Sequence, residues 1–367
     1  MGSRKKSPDF IIIITVLLLL SIGIVMVFSS SSVWAFHRYK DSFYFLKRQL
    51  FSTGLGLLSM FFLMNYDYRN FAKFSKLVMI IVILLLILVL IPGIGHEINN
   101  ARRWIKIMSF TIQPSEIAKL GVIIYTATGL ANKRDKIGNL INGIMPFMII
   151  LGIVCLLILK QPDMSTAVVI AGTVMIMLFA AGAKMIHLAS LVAAGLPLVV
   201  YFAMSEEYRW RRITSIFDPW ADSLDTGYQL IQSLYALGSG GLLGLGLGRS
   251  RQKFFYLPEP QSDFIFSILC EELGFIGGTF VIILFLVLFW RGIRVAIKAP
   301  DYLGSILAAG IIGWIGFQSL INIGVVTASM PVTGLTLPFL SYGGSSLILT
   351  LMGIGILLNI SRHCDIN

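Results

Sequence analysis

Long apolar runs recur along the whole chain and constrain its fold more than any other feature of the sequence. A helix of about 20 mainly apolar residues crosses the hydrocarbon core of a bilayer. The runs predict about ten such helices, at 10–28, 45–65, 75–93, 114–132, 141–160, 164–182, 185–204, 263–291, 302–329 and 341–360. With 56% hydrophobic and 13% charged residues, the chain is more apolar than a water-soluble domain. We therefore predict one all-α, polytopic membrane domain over residues 1–367.

The first apolar run follows Arg4, Lys5 and Lys6, which is typical of a signal peptide or of a first membrane helix. No clear A-x-A cleavage site follows the run, so we interpret it as a retained helix. Ten spans place both termini on one side, and the positive-inside rule favours the cytoplasm for residues 1–8 and 361–367. The longest connection, 205–262 between the seventh and eighth helices, then faces outward, and a short amphipathic helix is expected inside it at 228–237.

Several classes of site find little support in the sequence. The three cysteines, Cys155, Cys270 and Cys364, suggest neither a disulfide framework nor a metal site, and the four histidines lie in no metal-ligand pattern. The glycine-rich run at 238–248 lacks a preceding strand and a P-loop lysine, which favours a flexible interfacial loop over a nucleotide site. The net charge of +11 is scattered between apolar spans, so anionic lipid headgroups or a phosphate-bearing substrate suit it better than nucleic acid.

Ionisable residues inside membrane spans cost about 2.5–3.5 kcal/mol each and usually face a polar interior. Glu116 and Lys119 lie three residues apart at the start of one span, so they form either a structural ion pair or part of a site. Asp163 precedes another span, where we expect it to cap the helix. Proline and glycine break the chain between the last two spans, and the break around Ser345 either helps to build a site or is a tight re-entry.

Cations gather at two places in the predicted outer loops. Arg249, Arg251 and Lys253 form one group, and Arg102-Arg103-Trp104 in the second outer loop is expected at the same membrane surface. They contact either lipid headgroups or a lipid-linked diphosphate, to which arginine offers a planar fork of donors.

Asp263 follows Pro258-Glu259-Pro260 and stands at the mouth of a long apolar run, so it is either a helix cap or a catalytic group. Glu271 lies eight helical residues further on, at about 12 Å. That separation exceeds the roughly 6.5–9.5 Å of the two carboxylates in inverting glycosidases. A single base among many cations suits the displacement of a diphosphate, because the leaving group is already good.

Six segments, taken together, closely resemble the SEDS family (shape, elongation, division and sporulation), which includes FtsW, RodA and SpoVE. They are NNARRWI at 99–105, IQPSEIAKL at 112–120, QPDMSTA at 161–167, DPWADSLDTGYQLIQSLYALGSGG at 218–241, GLGRSRQKFFYLPEPQSDFIFSILCEELGFIGG at 246–278 and TGLTLPFLSYGGSS at 333–346. The match covers nearly the whole chain, and its spacing and loops look closest to the division and sporulation branch.

The resemblance implies a ten-helix peptidoglycan glycosyltransferase of the cytoplasmic membrane. Such an enzyme polymerises lipid II, a lipid-diphosphate-linked sugar precursor, into a nascent glycan strand on the outer face, and it works with a class B penicillin-binding protein. The resemblance also implies that Asp263 is the essential acid. It assigns the diphosphate to Arg102, Lys119, Arg249, Arg251 and Lys253, with Glu116, Asp163 and Ser345 in support. A divalent cation, Mg or Mn, is compatible with this chemistry, although no ligand set is visible.

The chain departs from the family pattern at a few places. Asn100 and Ser165 stand where relatives usually carry Gly, Gln261-Ser262 stands where His-Thr is common, and Cys270 occupies a usually small position. The segment 221–226 lacks the frequent Pro and Gly. Because these departures retain the charges, they affect loop conformation more than chemistry.

Our working hypothesis is that Asp263 deprotonates the 4-hydroxyl of the acceptor sugar. That hydroxyl attacks the anomeric carbon of the donor, inverts it to a β-1,4 bond and displaces undecaprenyl diphosphate. A lipid II transporter is the first rival, since buried charges and broken helices are also typical of transporters. A non-catalytic scaffold for a transpeptidase is the second.

Overall fold

The computed structural model describes residues 6–98, 101–107, 110–223, 227–254 and 256–365. Expectations that concern Arg4, Lys5, Asn100 and 224–226 fall outside these residues. The described part of the chain folds into twelve α-helices. They are α1 (Phe10–Tyr39), α2 (Tyr44–Asn65), α3 (Arg69–Leu88), α4 (Pro114–Asn132), α5 (Met145–Leu159), α6 (Met164–Ala180), α7 (Met185–Met204), α8 (Glu207–Thr214), α9 (Tyr228–Gly240), α10 (Ile265–Lys298), α11 (Tyr302–Val326) and α12 (Gly344–Ser361).

Each predicted span corresponds to one of the helices α1–α7 and α10–α12. Seven helical segments among the described residues are long and apolar enough to cross a membrane: Phe10–Tyr39, Arg69–Leu88, Leu140–Leu159, Met185–Met204, Ile265–Lys298, Tyr302–Val326 and Gly344–Ser361. Met164–Ala180 is apolar but shorter. The prediction of an all-α, multi-pass membrane protein is therefore confirmed, whereas the count of ten spans stays a prediction. The amphipathic helix expected at 228–237 is α9.

A small antiparallel sheet, which the sequence did not predict, lies between α3 and α4. Its strands are β1 (Gly95–Ile98), β2 (Ala101–Ile107) and β3 (Phe110–Ile112), in the order β1-β2-β3. Glu97 pairs with Arg102 across the first ladder, and Ile105 pairs with Ile112 across the second. Successive side chains of a strand point to opposite faces of the sheet. Arg102 and Arg103, which are adjacent on β2, therefore point to opposite faces of the sheet and have different surroundings.

The helices α11 and α12 form the inner part of the bundle, with most of their length buried, whereas α7 is almost entirely exposed along its apolar length. Glycines allow the closest helix contacts. A Cβ at Gly56 of α2 would come within 2.5 Å of the Leu351 side chain on α12, and one at Gly355 of α12 would come within 2.6 Å of the Met60 carbonyl oxygen. Small residues that let backbones approach are typical of helix packing in membranes, where the hydrophobic effect gives little help.

A kink at Gly274, with φ 68° and ψ −169°, divides α10 into a short first part and a long second part. The glycine-rich loop after α9 docks against this kink. The amides of Leu245 and Gly246 donate to the carbonyl oxygens of Glu271 and Glu272, each at 3.0 Å. The loop thus provides the hydrogen bonds that the interrupted helix cannot make, as irregular backbone inside a membrane protein requires.

The chain between α11 and α12 runs without regular structure at 331–343. Side chains from other elements donate hydrogen bonds to its carbonyl oxygens: Arg212 to Val332, Ser165 to Thr333, Asn322 to Leu335, Gln318 to Thr336, and Gln49 to Ser341. We call residues 331–343 the re-entrant segment. Its carbonyls find partners on α2, α6, α8 and α11, so it forms a fixed wall of the bundle.

Candidate active site

A groove of about 1460 Å³ opens where the ends of several helices meet, and Asp263 lies in its wall. Its volume exceeds the roughly 300–1,000 Å³ of sites for small ligands. Apolar side chains from five helices line part of it: Phe51, Leu55, Val168, Val199, Phe317, Ile321 and Ile348. The groove therefore combines room for a large ligand with a surface that suits a lipid chain.

The N-termini of α4, α6 and α12 are among those that lie at the groove. Gln113 and Asp163, the residues just before α4 and α6, both line it, as does Gly344, the first residue of α12. The N-terminus of α12 has no side-chain cap. Helix N-termini carry unsatisfied N–H groups and a partial positive charge, so they favour an anionic ligand. This arrangement adds backbone positive charge to the groove, independently of any side chain.

Asp263 lies two residues before α10, whose N-cap position is held by Phe264. The alternative that Asp263 is a simple helix cap is therefore wrong. Its neighbours are fixed to the re-entrant segment: Ser341 Oγ donates to the Ser262 carbonyl at 2.6 Å, and the Tyr342 amide donates to the Gln261 carbonyl at 2.8 Å. The carboxylate itself lies against Gly334, where a Cβ would be 3.5 Å from Oδ2.

The electrostatic surroundings of Asp263 make it a stronger base than an ordinary aspartate. Burial raises the pKa of its carboxyl to about 6, and the nearby charge of Glu259 acts in the same direction. Arg212 and Arg103 lower this pKa, as does a hydrogen bond with Ser262, but burial dominates. At neutral pH the group is therefore mainly ionised and yet unusually ready to accept a proton.

Five cations of the described chain line the groove: Lys47, Arg48, Arg103, Arg209 and Arg212. Backbone carbonyls hold three of the guanidinium groups. Arg103 donates to the carbonyls of Gln161 (3.0 Å) and Pro162, Arg209 to that of Phe202 (3.0 Å), and Arg212 to that of Val332 (3.4 Å). Each guanidinium carries five N–H donors. An anion in the groove can therefore be bound by arginines whose orientation is already fixed.

Four of the residues singled out in the sequence line the groove, namely Asp263, Glu116, Asp163 and Ser345. Asp163 caps α6 as predicted, since the Thr166 amide donates to its Oδ1 at 3.2 Å, while its Oδ2 accepts from Ser115 Oγ at 3.2 Å. Ser345 Oγ donates to the Thr111 carbonyl at 3.1 Å and joins α12 to β3.

The ion pair expected between Glu116 and Lys119 is present, with 2.7 Å between Nζ and Oε1. Lys119 also donates to Gln318 Oε1 at 2.9 Å and lies over the Trp314 ring, 5.2 Å from its centroid. Both charges are buried, and Lys119 lies behind the groove wall. The other oxygen of Glu116, Oε2, is buried and makes no hydrogen bond with the part of the chain that the structure describes.

The remaining cations singled out in the sequence lie away from the groove. Arg102 pairs with Glu97 at 2.8 Å on the opposite face of β2 from Arg103, and Arg249 and Arg251 are exposed on the loop after α9. Their role in diphosphate binding, like that of Lys119 and Lys253, stays a prediction. Lys47, Arg48, Arg209 and Arg212 were missed. For Arg209 and Arg212, the basic and aromatic segment EYRWRRIT at 207–214 was a visible signal.

Lys253 belongs to a buried polar cluster at the kink of α10. Its Nζ lies 2.9 Å from Glu272 Oε1 and 3.3 Å from Ser29 Oγ of α1. Glu271 accepts hydrogen bonds from Ser250 Oγ and from the amides of Arg251 and Gln252. We call these side chains the kink cluster. It joins the loop after α9 to α1 and α10. Its hydrogen bonds explain why Glu271 and Glu272 are tolerated inside the apolar run.

Within the described ranges, no group of three or more His, Cys, Asp or Glu side chains could hold a metal ion. Two groove carboxylates, Glu116 and Asp163, are engaged by Lys119 and by the hydroxyl of Ser115. The described residues therefore do not fit a resident Mg or Mn ion held by carboxylates.

Comparison with known proteins identifies a family and several close relatives. The family model described as cell cycle protein, FtsW/RodA/SpoVE, matches residues 9–366. Stage V sporulation protein E of Bacillus subtilis is 54% identical over 363 residues, which cover 99% of each chain. A protein of Geobacter metallireducens named "Probable peptidoglycan glycosyltransferase FtsW" is 44% identical over 355 residues, 97% of this chain and 95% of that protein.

Two solved structures share the fold over nearly the whole length. A chain from a structure described as coordinating polymerization and crosslinking in a peptidoglycan synthase complex has a TM-score of 0.79 and 33% identity, and the match covers 97% of this chain and 98% of that one. The crystal structure of the rod shape determining protein RodA of Thermus thermophilus has a TM-score of 0.72 and 30% identity, with 98% of each chain covered.

Loss of the kink-cluster ammonium should destabilise the protein. We expect Lys253→Met to lower the free energy of unfolding by about 3–5 kcal/mol, because it leaves buried carboxylates without their counter-charge. The double variant Lys253→Met/Glu272→Gln should recover part of that loss. Thermal or denaturant unfolding in detergent measures both, with the exposed Arg251→Gln as control. A Lys253→Met variant with unchanged stability but weaker lipid II binding would show instead that Lys253 serves the substrate.

Proposed function

The chain belongs to the SEDS family of FtsW, RodA and SpoVE, and from the groove we propose that it polymerises lipid II into β-1,4 glycan strands. The observation that carries this proposal is the carboxylate of Asp263, whose pKa is raised by burial and which lies near arginines in a large groove with apolar walls. Names of relatives support it, since a protein 44% identical over 355 residues is named as a peptidoglycan glycosyltransferase.

The groove suits each part of a lipid-diphosphate-linked sugar. Its apolar side chains suit a polyprenyl chain, and its arginines and helix N-termini suit the diphosphate. The strength of arginine in this role is its planar fork, which forms paired, charge-assisted hydrogen bonds with phosphate oxygens. Arg103 and Arg212 act on Asp263 electrostatically, so a diphosphate bound to them would place the reacting sugar near the carboxylate.

In the proposed reaction Asp263 acts as general base. Its carboxylate takes the proton of the acceptor 4-hydroxyl as that oxygen bonds to the anomeric carbon of the donor sugar. The bond from the anomeric carbon to the diphosphate oxygen breaks, the configuration inverts, and the electron pair leaves with undecaprenyl diphosphate. Arg103, Arg209 and Arg212 would stabilise the charge that develops on the leaving group. Because the raised pKa lies near neutrality, the base is both ionised and strong at working pH.

The other groove residues take supporting roles in this proposal. Glu116 and Lys119 form an ion pair without net charge that shapes the groove wall. Asp163 fixes the start of α6, and Ser345 fixes the start of α12. The position of Arg48, Arg103, Arg209 and Arg212 in the groove favours them for the diphosphate over Arg102, Arg249, Arg251 and Lys253, which lie elsewhere.

We further propose that the groove faces outward from the cytoplasmic membrane, with both termini in the cytoplasm. The basic residues near the ends of α3, α4 and α10 support this orientation through the positive-inside rule. A class B penicillin-binding protein is the proposed partner, in keeping with the similarity to a chain of a peptidoglycan synthase complex. Identity of 54% with a stage V sporulation protein supports a role in spore cortex formation, with cell division as the alternative.

Transport of lipid II is a second candidate function, because a groove beside a broken-helix segment is also typical of transporters. Polymerisation in detergent separates the two functions, since translocation has no meaning without a bilayer. A scaffold that only positions a transpeptidase would tolerate substitution of Asp263 as long as the complex forms.

Removal of the carboxylate should abolish polymerisation. We expect Asp263→Asn to lower the rate by about 10²–10⁴-fold, the usual contribution of a general base, because the amide keeps the shape and loses the proton acceptor. The purified complex with its transpeptidase is incubated with labelled lipid II, and the glycan strands are separated on a gel. Asp135→Asn, an exposed aspartate away from the groove, is the matched control. Normal strands from the Asp263 variant would contradict the assignment.

The pH profile should report the environment of Asp263. Because the base must be ionised to act, the rate should fall as the pH drops through about 6. Arg212→Gln removes a charge that lowers this pKa and should move the acidic limb to higher pH, whereas Glu259→Gln should move it to lower pH. Initial rates between pH 4.5 and about 8 provide the measurement. A limb that stays in place in both variants would exclude Asp263 as its source.

A further inference from the structure

The catalytic carboxylate proposed above lies on backbone without regular structure. Residues 257–264 form turns and bends between the loop after α9 and the start of α10. A general base must keep its position relative to the substrate within a fraction of an ångström to be effective. Some other element must therefore fix Asp263, and the hydrogen bonds to its own main chain show which one.

Asn322 of α11 makes that contact. Its Nδ2 donates one hydrogen bond to the Asp263 carbonyl at 2.9 Å and another to the Leu335 carbonyl at 2.6 Å. The side chain is 1% exposed. Both N–H donors are thus used, and each connects a different irregular segment to the same rigid helix.

The acceptor half of this amide is unused. Asn322 Oδ1 is buried and has no hydrogen-bond partner among the described residues. A buried polar atom without a partner costs free energy, and a leucine of similar volume would avoid that cost. The two donors therefore explain the presence of an amide at this position better than packing does.

The hydrogen bond from Asn322 to the Leu335 carbonyl fixes backbone that lies beside the catalytic carboxylate. Leu335 follows Gly334, whose φ of +73° is a conformation that glycine adopts without strain. Gly334 is the residue against which Asp263 Oδ2 lies. One turn earlier on α11, Gln318 Nε2 donates to the Thr336 carbonyl at 2.8 Å. Asn322 thus fixes both the residue that bears the carboxylate and the backbone against which the carboxylate rests.

We propose that Asn322 is a positioning residue for the polymerisation reaction: its amide bridges the Asp263 and Leu335 carbonyls and holds the carboxylate at the height of the acceptor hydroxyl. This inference rests on the proposed function. Asn322 is not among the residues that line the groove. It acts only through the position of Asp263.

The test replaces the bridge and keeps the volume. Asn322→Leu should lower kcat by about 100-fold, the effect of a displacement of roughly 1 Å, with little change in KM for lipid II. A carboxylate released from its place becomes better hydrated, so the acidic limb of the pH profile should move to lower pH. Asn322→Ser, which retains one hydroxyl donor, should give an intermediate rate.

Asn359→Leu is the matched control. Asn359 is also a buried amide, and its Nδ2 donates to the Met64 carbonyl at 2.8 Å, away from the groove and from the re-entrant segment. Both leucine variants should lose a similar amount of thermal stability in detergent. Only Asn322→Leu should change kcat and move the acidic limb.

Three results would overturn the inference. The first is a wild-type rate in Asn322→Leu, and the second is an equal loss of rate in the two leucine variants. The third is an acidic limb of the pH profile that stays in place in Asn322→Ser. This third result also tests the inference if Asn322→Leu does not fold. The polymerisation rates of the wild type and of Asp263→Asn test the proposed function independently of these three results. If the wild type fails to polymerise lipid II, the proposed function falls and the positioning role falls with it.

Discussion

A lipid bilayer offers no hydrogen-bond partners, so backbone that leaves the helical path inside it must find partners within the protein. This constraint governs the re-entrant segment at 331–343. Five of its carbonyls accept hydrogen bonds from side chains of four different helices, which fix this irregular stretch in place. Asp263 lies against this segment, which also lines the groove. The shape of the site therefore depends on polar side chains whose hydrogen bonds satisfy the carbonyl oxygens of this segment.

The same constraint explains how charges are distributed in the bundle. At the kink of α10, buried glutamates accept hydrogen bonds from loop amides and a lysine. Their charges therefore stabilise the fold and do not face a ligand. In the groove, by contrast, arginines are oriented by carbonyl oxygens and keep further donors for a ligand. Two groups of cations that look alike in the sequence thus have different surroundings, one buried in protein and the other facing a cavity.

Much of the architecture followed from the sequence. Apolar runs predicted the helices because the bilayer fixes their length. Asp263 was singled out because a carboxylate at the mouth of such a run is costly, and the resemblance to the SEDS family then favoured a catalytic group over a helix cap. The groove arginines could not be identified in the same way. Arg102 and Arg103 are adjacent, and only the alternation of a strand that was not predicted separates them. Lys253 and Asn322 depend on contacts between residues far apart in the chain, such as Ser29 with Glu272, which no local pattern reveals.

The central claim is that the groove beside Asp263, and not the exposed loop after α9, binds the diphosphate of the substrate. A lipid II analogue with a photoreactive group on the isoprene next to the diphosphate tests it most directly, with mass spectrometry of the digested complex as readout. The account predicts labels on β2 and α8, near Arg103, Arg209 and Arg212, that excess unlabelled lipid II removes. Competable labels on residues 249–253, with none on β2 or α8, would contradict it.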